Sequence, residues 1–117
     1  MQAVYQIILN ADQLQQFSVA AGQEALVSAL VETYAEQIGF AFQCYHPREK
    51  VRGISVVPGT VVSIHPGEIT LTLKYHTEEF NLCSATDVQE NAVMKTHLDI
   101  NETTRTAVLK GEDWPEL

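Results

Sequence analysis

The chain has 117 residues, 45% of them hydrophobic, with 15 acidic and 7 basic side chains and a formal net charge of -8. That length and apolar content suit one globular domain over 1–117 with a single core. The scarcity of lysine and arginine argues against a nucleic-acid binder, which needs cations to displace phosphate counterions, and no apolar run approaches the roughly 20 residues that would cross a bilayer.

The opening, "MQAVYQIILNADQ", lacks a cationic stretch ahead of its short apolar run, so no export signal is expected and the cytoplasm is the expected compartment. "VYQIIL" (4–9) predicts a first strand. Asn10 with Gln13 three residues on forms a capping-box pattern for a short helix. The main helix is predicted over about 23–38. There Leu26, Val27, Leu30, Val31, Tyr34 and Ile38 recur at three- and four-residue steps and make one apolar stripe. Gly22 is its expected N-cap and Gly39 its expected left-handed C-terminal cap.

From residue 40 the pattern reads as alternation. Strands are predicted over "FAFQCY" (40–45), "VRGISVV" (51–57), "TVVSIH" (60–65), "EITLTLKYH" (68–76) and "FNLC" (80–83), with turns at "HPREK", Pro58-Gly59, Pro66-Gly67 and "HTEE". "TDVQENAVMKTH" carries a Thr86-to-Gln89 capping box and is expected as a helix. "LDINETTRTAVLKG" fits helix or strand, and 111–117 is expected to form a short acidic tail. The element order predicts an α+β fold, one main helix laid on an antiparallel sheet of five to six strands, as in hot-dog or cystatin-like rolls. A small SH3-like barrel over 51–84 with flanking helices is the alternative.

If Pro66-Gly67 turns a hairpin, His65 pairs with Glu68, and Ile69, Leu71, Leu73 and Tyr75 share the buried face. Ser63, Val61, Thr70, Thr72 and Lys74 then share the polar one. His65 and His76 fall at opposite ends of that strand, at roughly 3.4 Å per residue about 27 Å apart. Zinc ligands must converge within about 2.0–2.3 Å of one ion, so no metal site is expected. "CYH" offers Cys44 and His46 but no third ligand, and Cys44 is expected to be a small core residue. With only two cysteines, Cys44 and Cys83, both are expected as free thiols.

The candidate sites follow from these placements. Arg48, Lys50 and Arg52 form the only basic cluster, able to grip a carboxylate or phosphate. Glu24 and Glu32 on the main helix are the weak catalytic candidates, although the helix N-terminus already accounts for Glu24. Val61, Ser63, Thr70, Thr72 and Lys74, with Trp114 in the tail, are the candidate interface. No set of residues converges as a catalytic constellation, and no cofactor is expected. The expected function is therefore a small acidic, non-enzymatic module that contacts a protein partner or a second copy of itself. Two alternatives stand beside it. One is a small-molecule binder or hot-dog-type enzyme with a helix–sheet pocket into which Glu24, His46 or Tyr45 points. The other is an acidic decoy of a nucleic-acid-binding protein, since residues 68–117 carry ten acids and four bases, a balance of -6.

Overall fold

Asn10 opens the helical layer as its spacing predicts. Its side chain accepts from the Gln13 N–H at 2.8 Å, and the Gln13 side chain accepts from the Asn10 N–H at 3.0 Å. The computed structural model describes residues 1–18, 22–81 and 86–115. In chain order it runs β1 (Gln2–Ile8), α1 (Ala11–Phe17), α2 (Gln23–Thr33), α3 (Ala35–Phe42), β2 (Lys50–Val56), β3 (Val62–His65), β4 (Glu68–Asn81), β5 (Thr86–Asn101) and β6 (Thr106–Asp113).

The predicted main helix is two helices. Tyr34, at φ -108° and ψ 18°, separates α2 from α3. Two local features account for the break. Thr33 Oγ1 donates to the Ala29 carbonyl at 2.8 Å, a back-bond that bends helices. The Tyr34 ring is also drawn toward Tyr5 on β1, with centroids 5.9 Å apart. Gly22 does precede α2, with φ 86°. Gly39 caps nothing: it lies buried inside α3 against β2.

"FAFQCY" is the end of α3 followed by a 3-10 turn at Gln43–Tyr45, not a strand. Ile38, Phe42 and Tyr45 are 0%, 1% and 5% exposed while Phe40 is 71% exposed. The helical stripe of α2 thus continues at 3.6 spacing past the point where alternation seemed to begin. Burying each such side chain stabilises the fold by about 1.5–3 kcal/mol.

The sheet is antiparallel and six-stranded, in the order β1-β6-β5-β4-β2, with β3 also paired to β4. Its spine is the β4–β5 hairpin, in continuous register from Glu68↔Asp99 to Asn81↔Thr86. "HTEE" is therefore the interior of β4 rather than a turn, and Tyr75 pairs with Ala92. The segment from Thr86, expected as a helix, is β5. Met94, Thr96 and Leu98 alternate inward at 0–2% exposure, and that period of two overrides the capping-box pattern. Residues 80–81 of the predicted "FNLC" strand belong to β4, and 82–83, including Cys83, lie outside the described residues. Asn101 closes the next turn, its Oδ1 accepting from the Thr103 and Thr104 N–H groups at 3.0 and 3.2 Å. The expected acidic tail begins later than residue 111, because β6 runs to Asp113.

Ile69, Leu71, Leu73 and Tyr75 are buried on one face, as the alternation predicts. They meet Phe42, Ile38, Val27, Leu30 and Val31 from the helices in one core. α3 packs against both β2 and β1, filling the seam between the two edges of the curled sheet. The result is an α+β fold with three helices on a curled antiparallel sheet, in place of a single helix on a roll. Among the described residues, 51–81 form no separate barrel, because β4 also pairs with β5 and joins the larger sheet.

Candidate functional site

Helices cover the inner face of the sheet and leave the outer face open. The register shows what that face presents, since directly paired residues point the same way. One row across the strands reads Val4, Lys110, His97, Thr70 and Val62. The next reads Gln6, Val108, Asp99, Glu68 and His65. On the other side come Lys95 with Thr72, Val93 with Lys74, and then Asn91, His76 and Arg52. Val4 and Val62 are each 52% exposed and Val93 67%.

Two predicted interface residues are displaced from this face. The register slips between Ser63 and His65, so Val62 takes the place opposite Thr70 and Ser63 falls opposite Ile69. Val61 precedes β3 and is partly buried against the core. Opposite Thr72 the ladder is completed by a side chain. The Thr72 N–H donates to Thr60 Oγ1 at 3.0 Å, and Thr60 Oγ1 donates to the Val57 carbonyl at 2.7 Å.

At the β2 end of the face lies a concavity of about 570 Å³, lined by Gly53, Lys74, Tyr75, His76, Asn91, Ala92 and Val93. Gly53 breaks β2 with φ 70°. A Cβ there would sit 2.7 Å from His76 Cε1 and 2.8 Å from Nδ1, so the imidazole rests directly on the Gly53 backbone. His76 Nε2 faces Glu78 Oε1 at 3.6 Å, and Arg52 Nε pairs with Glu78 Oε2 at 3.0 Å. Lys50 is level with the same glutamate. Of the predicted basic cluster, Arg52 thus turns onto Glu78, while Arg48 lies exposed in the preceding turn.

The glutamates have other placements. Glu24 Oε1 accepts from the Gly59 N–H at 2.6 Å, tying the start of α2 to the β2–β3 turn. Glu32 is exposed on α2.

An aromatic cluster closes the opposite seam. Tyr45 Oη accepts from the Ala3 N–H at 2.8 Å and donates to the Glu112 carbonyl at 2.6 Å. Trp114 packs back on this cluster, 4.7 Å from the Tyr45 ring and 5.9 Å from His46. His46 Nε2 lies 2.8 Å from Tyr75 Oη. Burial is the main cause that pushes the Tyr75 phenol up to about 12, with the Glu112 carboxylate adding to it. Burial likewise raises Tyr45, partly offset by its bond from Ala3. Tyr75 therefore keeps its proton, with its hydroxyl hydrogen-bonded to His46 Nε2. Cys44, expected in the core, is exposed on the 3-10 turn and apart from this pair.

A second concavity, of about 440 Å³, opens between α1 and the β3–β4 turn. Leu14, Phe17, Ile64, Ile69 and Ile100 make its apolar lining. The polar groups at its rim include Ser63, His65 and Glu102, not the expected Glu24, Tyr45 or His46. Among the described residues no three His, Cys, Asp or Glu side chains group to hold a metal ion, and no helix is long and apolar enough to cross a membrane.

No family model matches the sequence, and no curated protein or solved structure matches it either.

The residues that sequence reasoning missed are Gly53, Asn91 and Val93, while His76 was weighed only as a metal ligand. An isolated glycine inside a strand pattern signals a bulge or a close approach, and Gly53 carries that signal. Asn91 and Val93 join the face only once 86–101 is understood as a strand.

Proposed function

We propose that the chain is a non-enzymatic association module that pairs with a second copy of itself through the outer face of the sheet. The layout of charge carries this reading. The helices hold Asp12, Glu24, Glu32 and Glu36 and no lysine or arginine, so two copies repel through that side. On the sheet face the signs interleave. Lys110 pairs with Asp99 at 3.1 Å and Arg52 with Glu78 at 3.0 Å, while Val4 and Val62 stand exposed in one row with Thr70. A face of interleaved charge with apolar spots suits an isologous contact. The decoy alternative finds less support, because acids of the second half such as Glu78 and Asp99 are interleaved with bases rather than arrayed together.

Sedimentation velocity over a range of concentrations tests the reading. The wild type is expected to dimerise. Thr72→Asp and His97→Asp, which bury carboxylates in the contact, should weaken dimerisation by at least about tenfold. Glu32→Lys on the helical side should leave it intact. A monomeric wild type, or a dimer indifferent to Thr72→Asp, overturns the proposal.

The apolar cleft beside α1 supports a second reading, a small apolar ligand held between Phe17 and Ile100. An apolar fluorescent dye should then bind in one-to-one ratio and be excluded by Leu14→Trp. Dye binding that ignores that substitution removes this reading.

A further inference from the structure

We propose that the concavity over Gly53 is a binding site for an oxyanion, a carboxylate or phosphate group, held by the Lys74 ammonium, the His76 imidazole and the Asn91 carboxamide. Lys74 and His76 stand two residues apart on the outer side of β4, roughly 7 Å along the strand. Asn91 is directly opposite His76 and Val93 directly opposite Lys74. Three donors and one apolar side chain therefore occupy four adjoining positions on one face.

Three observations make this more than a stretch of wet sheet. Gly53 supplies the depression, because the neighbouring position on β2 has no side chain to fill it. The same glycine fixes the imidazole, whose ring could not lie where it does against any Cβ. Donor capacity is also left over. Among the described residues Lys74 makes no ion pair and the Asn91 side chain no hydrogen bond, and the carboxylate that His76 Nε2 faces at 3.6 Å, Glu78, is shared with Arg52 at 3.0 Å. In a chain of net charge -8, an ammonium without an ion-pair partner is what would draw an anion to this hollow. Charge-assisted bonds from Lys74, backed by neutral donors, are the means by which proteins hold such groups. The site lies at the β2 end of the face and does not depend on self-association.

The test is a two-dimensional amide and imidazole NMR titration at constant ionic strength, with inorganic phosphate in one arm and acetate in the other. Saturable shifts confined to residues 53, 74, 76 and 91–93 are expected in at least one arm, and the arm that saturates tells phosphoryl from carboxylate recognition. Lys74→Ala should weaken the binding by about tenfold or more, the loss of one charge-assisted bond. Lys110→Ala, which removes an already paired lysine from the same face, should leave it unchanged. Shifts that stay linear in both arms, or a Lys74→Ala protein that binds as the wild type does, overturn the proposal. Unchanged spectra elsewhere in each variant show that the fold is intact.

Discussion

Tyr45 and Ala3, 42 residues apart, are joined by a buried hydrogen bond of 2.8 Å from the Ala3 N–H to the phenol oxygen. The same oxygen donates to the Glu112 carbonyl. One side chain thereby ties the end of the helical layer to both β1 and β6. Gly111 makes room for it, since a Cβ at 111 would collide with the phenol. Tyr45→Phe keeps the ring but leaves the Ala3 N–H without its partner. The expected cost is about 1–3 kcal/mol, measured as a lower urea midpoint at unchanged slope.

Tyr75 and Tyr45 should both titrate late. Tyr75 ionises in the folded state only near pH 12, against 10.0 for its ordinary value, and Tyr45 is raised as well. Because the folded value lies above the unfolded one, the native state holds this proton more tightly. The stability that results is fully present below pH 10 and is lost as pH rises from there toward about 12. Absorbance at the phenolate band should show a delayed phase that coincides with alkaline unfolding, and Tyr75→Phe should remove the delay. A single unshifted phase would contradict the buried placement of Tyr75.

Gly53→Ala combines a left-handed backbone angle with a collision against His76. It should destabilise the protein by about 1–3 kcal/mol. In the double variant Gly53→Ala/His76→Ala the collision is gone and only the backbone strain remains. The two changes should therefore be less than additive in thermal unfolding. Strict additivity would mean that the imidazole does not rest on the glycine.

Asn10→Ala removes the acceptor that caps α1 and should cost about 1 kcal/mol. Asn10→Asp should retain most of that stability. Glu24→Ala frees the Gly59 N–H instead. Its signature is faster hydrogen exchange at Gly59, with the rest of the sheet unchanged.

How much of this was legible in the sequence depends on how far each signal reaches. The Asn10–Gln13 box and the inward run Ile69, Leu71, Leu73 and Tyr75 are local, and both appear as expected. The end of α3 was not legible. Phe40, Phe42 and Cys44 imitate strand alternation, whereas Ile38, Phe42 and Tyr45 continue the helical stripe, and only the position of β1 and β2 decides between them. The span from His76 to Thr96 failed for a related reason. "HTEE" and Thr86 with Gln89 are sound local turn and cap signals, but β4 and β5 satisfy each other's backbones along fourteen paired positions and outweigh both. Of the candidate site, Arg52 was visible as part of the basic cluster with Arg48 and Lys50, and Lys74 as a cation on the outward side of its strand. That His76, Asn91 and Gly53 join them is a fact of register, which a one-residue error anywhere along the hairpin would have reversed.

The pairing of β1 with β6 brings Gln2 beside Gly111, 109 residues away. Every other ladder closes a shorter loop, so β1 can find its place only after β4, β5 and β6 have assembled a docking edge. Contacts of such long range slow the search for the native state. Folding should therefore be late at β1, and a chain still emerging from synthesis would expose the apolar Ala3, Ile7 and Leu9 until β6 arrives to cover them.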